Sequence, residues 1–421
     1  MIYTKLKYIY VLLRNNLIIY NFLNYYLFSL ISVFIGLFSI SFLSNTLAPE
    51  EYGYIGIYNS ILFFIPAIIS FSGGGLQSIE IIKSDNTDYV KFRNSLLLII
   101  LFNSLLTLLI ISIFYSFLSR YIFIIYVAII MGTLLSLTSI HNVELINDMK
   151  SKKFGLLSSI NQILILFFSF VFLKFLNFGW EFRLYSFILA EILILFPRFF
   201  IFSSIVRDFS FTLDALLLKR ILIYGSPLIL YTLLGTILHQ SDRFFLLQFF
   251  TLREVGFYTV AAGLSSVIVM INSNFDKVLM PFIYKKLDTS NNIKSLNRVS
   301  FYYSIMILTI AIFYSLFLKY FSFLFLNPKY NESLEIAYIL NFAQAFLGIY
   351  SNRGMIVDFY KKNLQKTAIF LVCVVFLICF NFLLVPTLGY FTSAWSLLAS
   401  FILLSGMITV YSNYLLKNTI E

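Results

Sequence analysis

The stretch YGSPLILYTLLGTILHQSDRFFLLQFFTLREVGFYTVAAGL, residues 224–264, decides the fold. Two apolar runs flank the short charged turn TLREVG. Each run, taken with its neighbours, reaches the roughly 20 residues a helix needs to cross a hydrocarbon core. Outward from this hairpin, runs of the same length recur from Leu17 to the end of the 421-residue chain, parted by short charged segments. Lipid offers no partner for backbone N–H and C=O groups, so each run must be a helix. The pattern predicts twelve spans, at 17–43, 54–76, 95–117, 121–142, 156–176, 181–202, 221–248, 256–276, 299–319, 334–357, 367–386 and 391–414. The expected fold class is an all-α integral membrane protein.

Composition agrees. Hydrophobic residues make up 60% of the chain and charged ones only 12%, more apolar surface than a soluble domain can hide. The first apolar run follows Lys5, Lys7 and Arg14. It is too long for a signal-peptide core and leads into LAPEEYG instead of a small-residue cleavage site, so it reads as an uncleaved first span. Cys373 and Cys379 share one apolar run and form no metal-ligand pattern.

Charge tests the span count independently, because cytoplasmic loops hold the excess of Lys and Arg. With both termini and every second loop placed in the cytoplasm, that side receives 23 of the 30 basic residues and the other side 7. The net charge of +11 therefore belongs to one face, where anionic lipid headgroups are the expected partner and nucleic acid is not.

The halves of the chain resemble each other. TLAPEEYGYIGIYNSI (46–61) set against FFTLREVGFYTVAAGL (249–264) puts Glu51 on Glu254 and Gly53 on Gly256, and the same offset puts Ser70 on Ser273. FGWEFRLYSFILAEILIL (178–195) matches LGYFTSAWSLLASFILL (388–404), with Ser186 on Ser396. The expected architecture is two six-helix bundles related as a parallel repeat, the kind transporters use. It divides into an N-terminal lobe at 1–205, a cytoplasmic linker at 206–220 and a C-terminal lobe at 221–421.

No loop is long enough for an extramembrane catalytic domain, and no nucleophile motif, phosphate-binding loop or Cys/His cluster occurs, so no cofactor or metal is expected. Gly73, Gly74 and Gly75 lie within or at the end of the second span and read as a flexible or closely packed helix end. Polar residues inside spans are costly in lipid and face a bundle interior or a wet cavity. At 100° per residue they form stripes: Asn21, Asn24, Ser32 and Ser39 in span 1; Asn59, Pro66, Ser70, Gly73 and Gln77 in span 2. Span 7 has Gly225, Thr232, Thr236, His239 and Arg243; span 8 has Thr259, Gly263, Ser266, Ser273 and Lys277; span 10 has Asn341, Gln344, Gly348 and Asn352. Small and polar stripes also serve plain helix packing. Repeated Asn and Gln near midspan point to hydration.

Charges within spans are Glu191, Arg198, Asp242, Arg243 and Arg353. Glu191 at the centre of span 6 is either a buried structural partner or an ion-coupling carboxylate. Arg198 and Arg353 lie near cytoplasmic helix ends, within reach of the headgroups. Arg243 follows Gly225 by eighteen residues, about five turns, and so returns to the polar stripe. At about 1.5 Å per residue it sits about 9 Å below the outer end of its span. Three roles fit there: a ligand facing a cavity, an anchor at the outer interface, or a local partner of Asp242 or Glu254.

Residues 224–264, with their YG-x-P start, the SDR triplet at Ser241 to Arg243 and the EVG-x-Y turn at Glu254 to Tyr258, resemble the span 7 to 8 signature of the polysaccharide repeat-unit (O-antigen) flippase family. That family belongs to the multidrug/oligosaccharidyl-lipid/polysaccharide exporter superfamily. LAPEEYG (47–53), MPFIYKKL (280–287) and NFLLVPTLGYFTSAW (381–395) extend the resemblance from the first span to the last.

The resemblance implies two six-helix lobes around a cavity lined by helices 1, 2, 7 and 8. It also implies alternating access for a polyprenyl-diphosphate-linked oligosaccharide in the bacterial inner membrane, with a polysaccharide polymerase and chain-length proteins as partners. The expected substrate ligands are Arg243, Asp242, His239, Asn21, Asn24, Asn59, Asn341, Gln344, Arg353 and Arg198, with Glu191 for ion coupling. Two other readings stay open: a drug or cation exporter of the same superfamily, which would favour carboxylates in its cavity, and a membrane polysaccharide polymerase, which would present a large outward loop.

Overall fold

The computed structural model describes residues 17–71, 73–200, 215–289 and 293–418, all helical apart from short connections. The long helices are α1 (Leu17–Thr46), α2 (Pro49–Ser70), α3 (Asn86–Ile113), α4 (Ile122–Asn147), α5 (Ser151–Phe170), α6 (Glu181–Phe200), α7 (Ala215–Phe249), α8 (Leu252–Thr289), α9 (Ile293–Phe321), α10 (Glu332–Phe359), α11 (Asn363–Leu388) and α12 (Thr392–Asn418). Each predicted span overlaps one of them over most of its length; residues 201–202 of the sixth lie outside the described residues. Ten, all but α6 and α7, are long and apolar enough to cross a membrane, and the chain is a multi-pass integral membrane protein. The N-terminal basic residues Lys5, Lys7 and Arg14, and positions 206–214 of the expected linker, lie outside the described residues.

Several helices outrun the spans, α8 the furthest. α8 covers 38 residues, about 57 Å at about 1.5 Å per residue, nearly twice the roughly 30 Å hydrocarbon core. It continues past Lys277 through KKLDT. Hydropathy marks where lipid ends, and a helix is free to go on into water. α7 likewise starts at Ala215, six residues before its apolar run.

The second predicted span is interrupted. α2 stops at Ser70, Phe71 takes a left-handed backbone (φ 49°), and a separate short helix runs from Gly73 to Lys83. Three consecutive glycines hold a helix poorly, and the restart needs one of them: a Cβ on Gly73 would lie 2.6 Å from Leu96 Cδ1. Asn59 and Gln77 therefore sit on different helices, and the single face expected for span 2 is split.

The chain forms two compact units, one made of residues up to Ile35 with Ile61–Leu233, the other of Gly36–Ser60 with Leu234–Glu421. In the first, α3 packs on α4, and α4 and α5 on α6; the short helix Gly73–Lys83 packs on α4. In the second, α9 packs on α10, α10 and α11 on α12, and α8 on α10.

The second unit contains a reciprocal contact between the starts of α2 and α8. Glu51 Oε2 accepts the Ala48 N–H (2.7 Å) and Glu254 Oε2 accepts the Thr251 N–H (3.0 Å), so each helix caps its first turn with the acid the repeat alignment pairs. A Cβ on Gly53 would lie 2.1 Å from the Leu252 carbonyl oxygen, and one on Gly256 1.9 Å from that of Pro49. Only glycine lets the two backbones approach this closely. Tyr330, fully buried in the 3-10 turn before α10, donates to the Leu47 carbonyl (3.0 Å) and meets the Tyr52 and Phe257 rings edge-on. Burial pushes its phenol above the usual range, so it stays a donor.

Candidate functional site

One turn of α7 in the second unit concentrates the predicted residues. Asp242 is fully buried and accepts from Tyr258 Oη on α8 and from Asn381 Nδ2 on α11 (2.9 Å). Asn381 Oδ1 in turn accepts from Ser396 Oγ on α12. A carboxylate out of water is tolerable only with such donors. The neighbouring Arg243 is also buried, donates to Gln240 Oε1 (2.9 Å) and stacks over the Tyr258 ring at 5.5 Å, while its Nε has no hydrogen-bond partner. Ser60 Oγ of α2 reaches the same Gln240 oxygen (3.3 Å). His239 is half-buried, its ring 5.3 Å from Phe401. Arg243 thus points into packed helices.

α10 carries the other polar series of this unit. Asn341 Nδ2 donates to Ser315 Oγ (3.0 Å), and Asn341 Oδ1 and Gln344 Oε1 are buried without partners. Asn352 is buried with neither side-chain polar atom bonded. Arg353 is held by Asn297 Oδ1 (2.7 Å) and Asn413 Oδ1 (3.3 Å). Asn59 on α2 is half-buried.

The first unit holds the remaining predicted residues. Asn21 Oδ1 accepts from Ser151 Oγ, whose oxygen accepts from Asn24 Nδ2 (3.2 Å), so the span 1 asparagines clasp the start of α5. Gln162 donates to Ser32 (3.1 Å) along the same pair of helices. Glu191, 2% exposed, accepts from Asn161 Nδ2 at 2.6 Å. Arg198 is buried and donates to Asn142 Oδ1. Arg183 donates to Ser169 Oγ, which bonds Ser186 Oγ at 2.8 Å.

Asp242, Arg243 and His239 are therefore brought together, Asn341 and Gln344 lie one turn apart on α10, and Arg353 is more than two turns further along. The residues not singled out by sequence are Tyr258, Gln240 and Asn381, which complete the Asp242 cluster. Asn381 stood alone as an amide in the apolar run FLVCVVFLICFNFLL, and that isolation was the available signal. Among the described residues no group of three His, Cys, Asp or Glu side chains has metal-holding geometry.

The same architecture is found in solved membrane-protein structures. The chain superposes on a multidrug resistance MATE family transporter of the MOP superfamily, in an inward-facing conformation, with TM-score 0.73, 15% identity and coverage of 93% of this chain and 95% of the other. It superposes equally well on the lipid II flippase MurJ, in an inward closed conformation, with TM-score 0.73, 15% identity and coverage of 93% and 87%. At such identities the likeness shows the fold alone, one shared with these membrane proteins. Within that class the chain belongs to the family of polysaccharide biosynthesis proteins, whose sequence pattern matches residues 42–335. No curated protein sequence matches it.

Proposed function

We propose that this protein is a flippase that carries polyprenyl-diphosphate-linked oligosaccharide repeat units, of O-antigen or capsule type, from the cytoplasmic to the outer face of a bacterial inner membrane by alternating access. The observation that carries the reading is membership of a polysaccharide biosynthesis family on a transporter fold. Family and fold together call for a substrate that is both saccharide and membrane-bound. In this reading α6 and α7 span the bilayer with the other ten, both termini are cytoplasmic, and the helices form two six-helix bundles related as a parallel repeat. Anionic lipids lie against the basic cytoplasmic face, and a polymerase and chain-length proteins take over the flipped unit.

The chemistry is consistent. A sugar chain and a diphosphate lose many hydrogen bonds on entering hydrocarbon, so the path must return them. Buried amides without partners on α10 and the Nε of Arg243 are groups of the required kind. Arg243 is the proposed diphosphate ligand, since a guanidinium offers paired N–H donors to phosphate oxygens. Glu191 and Asp242, both buried carboxylates, are the proposed coupling groups.

Those carboxylates also favour a second reading, export of a drug or cation by the same fold. Deleting the gene separates the two. A flippase loss accumulates complete lipid-linked units facing the cytoplasm, whereas an exporter loss leaves those lipids unchanged and raises cation toxicity. In the complemented strain Arg243→Lys should cut surface polysaccharide at least about tenfold at equal membrane abundance, the scale of a lost charged hydrogen bond of about 1.5–3 kcal/mol. Full display by the Lys variant would remove bidentate phosphate binding.

A further inference from the structure

The second unit contains a cavity of about 220 Å³ between α8 and α10 that includes none of the residues assigned a role above. On α8 it is lined by Val269, Asn272, Ser273 and Asp276, spaced at i, i+3, i+4 and i+7 and so on one helix face. On α10 it is lined by Leu347, Gly348, Tyr350 and Ser351. Glycine at 348 sets the helix spacing, because a Cβ there would fall 2.4 Å from Asn272 Oδ1. Asn272 cannot easily give way, since its Nδ2 donates to the Gln344 carbonyl (2.7 Å) and its Oδ1 accepts from Tyr303 Oη (3.1 Å).

Apart from the Asn272 amide and the Tyr350 hydroxyl, the polar side-chain atoms of the cavity are acceptors. Ser351 spends its proton on Asp276 Oδ2 (2.6 Å) and Ser273 spends its own on the Met270 carbonyl (2.9 Å), which leaves both hydroxyl oxygens with lone pairs only. Asp276 Oδ1 is buried with no hydrogen-bond partner. A buried carboxylate oxygen in that state is satisfied by a molecule that brings donors, a sugar hydroxyl among them. The Val269 and Leu347 walls suit the C–H face of a ring. At about 30 Å³ per water the space equals about seven waters, room for a single sugar ring with its hydroxyls.

We propose that this cavity is a subsite for one uncharged sugar ring, whose hydroxyls donate to Asp276 Oδ1. The assignment rests on the flippase reading and sharpens it: an acidic sugar or a phosphate is repelled here, so the diphosphate binds elsewhere and the ring at this position of the repeat unit carries no carboxylate.

The test uses the full-length protein in detergent with Cys373→Ala, Cys379→Ser and Ser273→Cys, the last being an exposed position on the cavity wall. The rate of maleimide modification of that single thiol is followed with galactose, galacturonate, inorganic phosphate or ethanolamine as the added probe. Galactose should slow labelling several-fold while galacturonate and phosphate do not. Adding Asp276→Asn, which preserves shape, should raise the galactose concentration needed by about tenfold or more. Protection by galacturonate equal to that by galactose, or by ethanolamine alone, would overturn the proposal. So would no protection by galactose in a protein that still restores surface polysaccharide to the deletion strain, a result that leaves the flippase reading standing. Galactose protection in a protein whose deletion leaves lipid-linked sugars unchanged upholds the sugar site and removes the flippase.

Discussion

The α5/α6 pair and the α11/α12 pair solve one problem in two ways. Each joins two helices through a buried serine that the repeat alignment places in register, Ser186 in the first and Ser396 in the second. In the first, Ser186 meets Ser169, and Arg183 closes the group by donating to Ser169 and stacking over the Phe187 ring at 4.5 Å. In the second, Ser396 meets Asn381, and the amide passes the interaction on to Asp242 of α7. The first seam ends in a cation, whereas the second leads to an anion on a different helix. The two serines occupy matching positions of the alignment, while the charges at the ends of the two seams have opposite sign, and the second seam ties its pair to the Asp242 cluster.

If that difference is functional, removing charge must act unequally. Asp242→Asn is expected to lower surface polysaccharide about tenfold or more, the range in which coupling energies of about 1–3 kcal/mol between two ligands operate. Arg183→Gln, which retains donors for Ser169, should stay within about twofold. Both are measured in the deletion strain at matched abundance, and equal losses would break the comparison. The amide offers a sharper cut. Asn381→Leu strips a donor from a buried carboxylate and should destabilise the protein by about 1–3 kcal/mol, read as the detergent melting midpoint. Arg183→Leu should cost less, because each serine proton still has an acceptor, in the other hydroxyl or in the helix carbonyls of Ile165 and Arg183. A larger drop for Arg183→Leu would show that the cation is what holds the first seam. The smallest effect is expected where the halves agree. Glu51→Ala and Glu254→Ala should each cost about 1 kcal/mol of helix capping, with Glu254→Ala the larger because Glu254 also accepts from Thr251 Oγ1.

Apolar run length and the charge alternation made the helices legible, because lipid leaves the backbone a single solution. The pairing of Glu51 with Glu254 and Gly53 with Gly256 was legible too, since both acids and both glycines sit where a helix begins. What each stripe faces was not. Asn21 and Asn24 look like cavity residues by periodicity, yet both bond Ser151, which the spans left in a loop. An angle on a helical wheel gives a direction and says nothing of the partner across the gap, and a polar group that satisfies another polar group leaves the same trace as one that meets water. Gln77 shows the second limit. Its place on the span 2 stripe assumed an unbroken helix, and the left-handed turn at Phe71 moved it to a helix where it donates to the Ile140 carbonyl and to Tyr89. Tyr330 was invisible for the same reason as Ser151: its role is a contact to Leu47, far away in the chain.

The contact at the starts of α2 and α8 has an evolutionary reading. Gly53 approaches Leu252 while Gly256 approaches Pro49, so residue i meets the counterpart of j and residue j meets the counterpart of i. That exchange is the geometry of a self-complementary surface meeting its own copy across a two-fold axis. It is what two identical half-length chains would make on pairing as a homodimer, where a single codon would have supplied both glycines. In a single chain the two codons are independent, and the carbonyl oxygen facing each glycine leaves no room for a side chain at either.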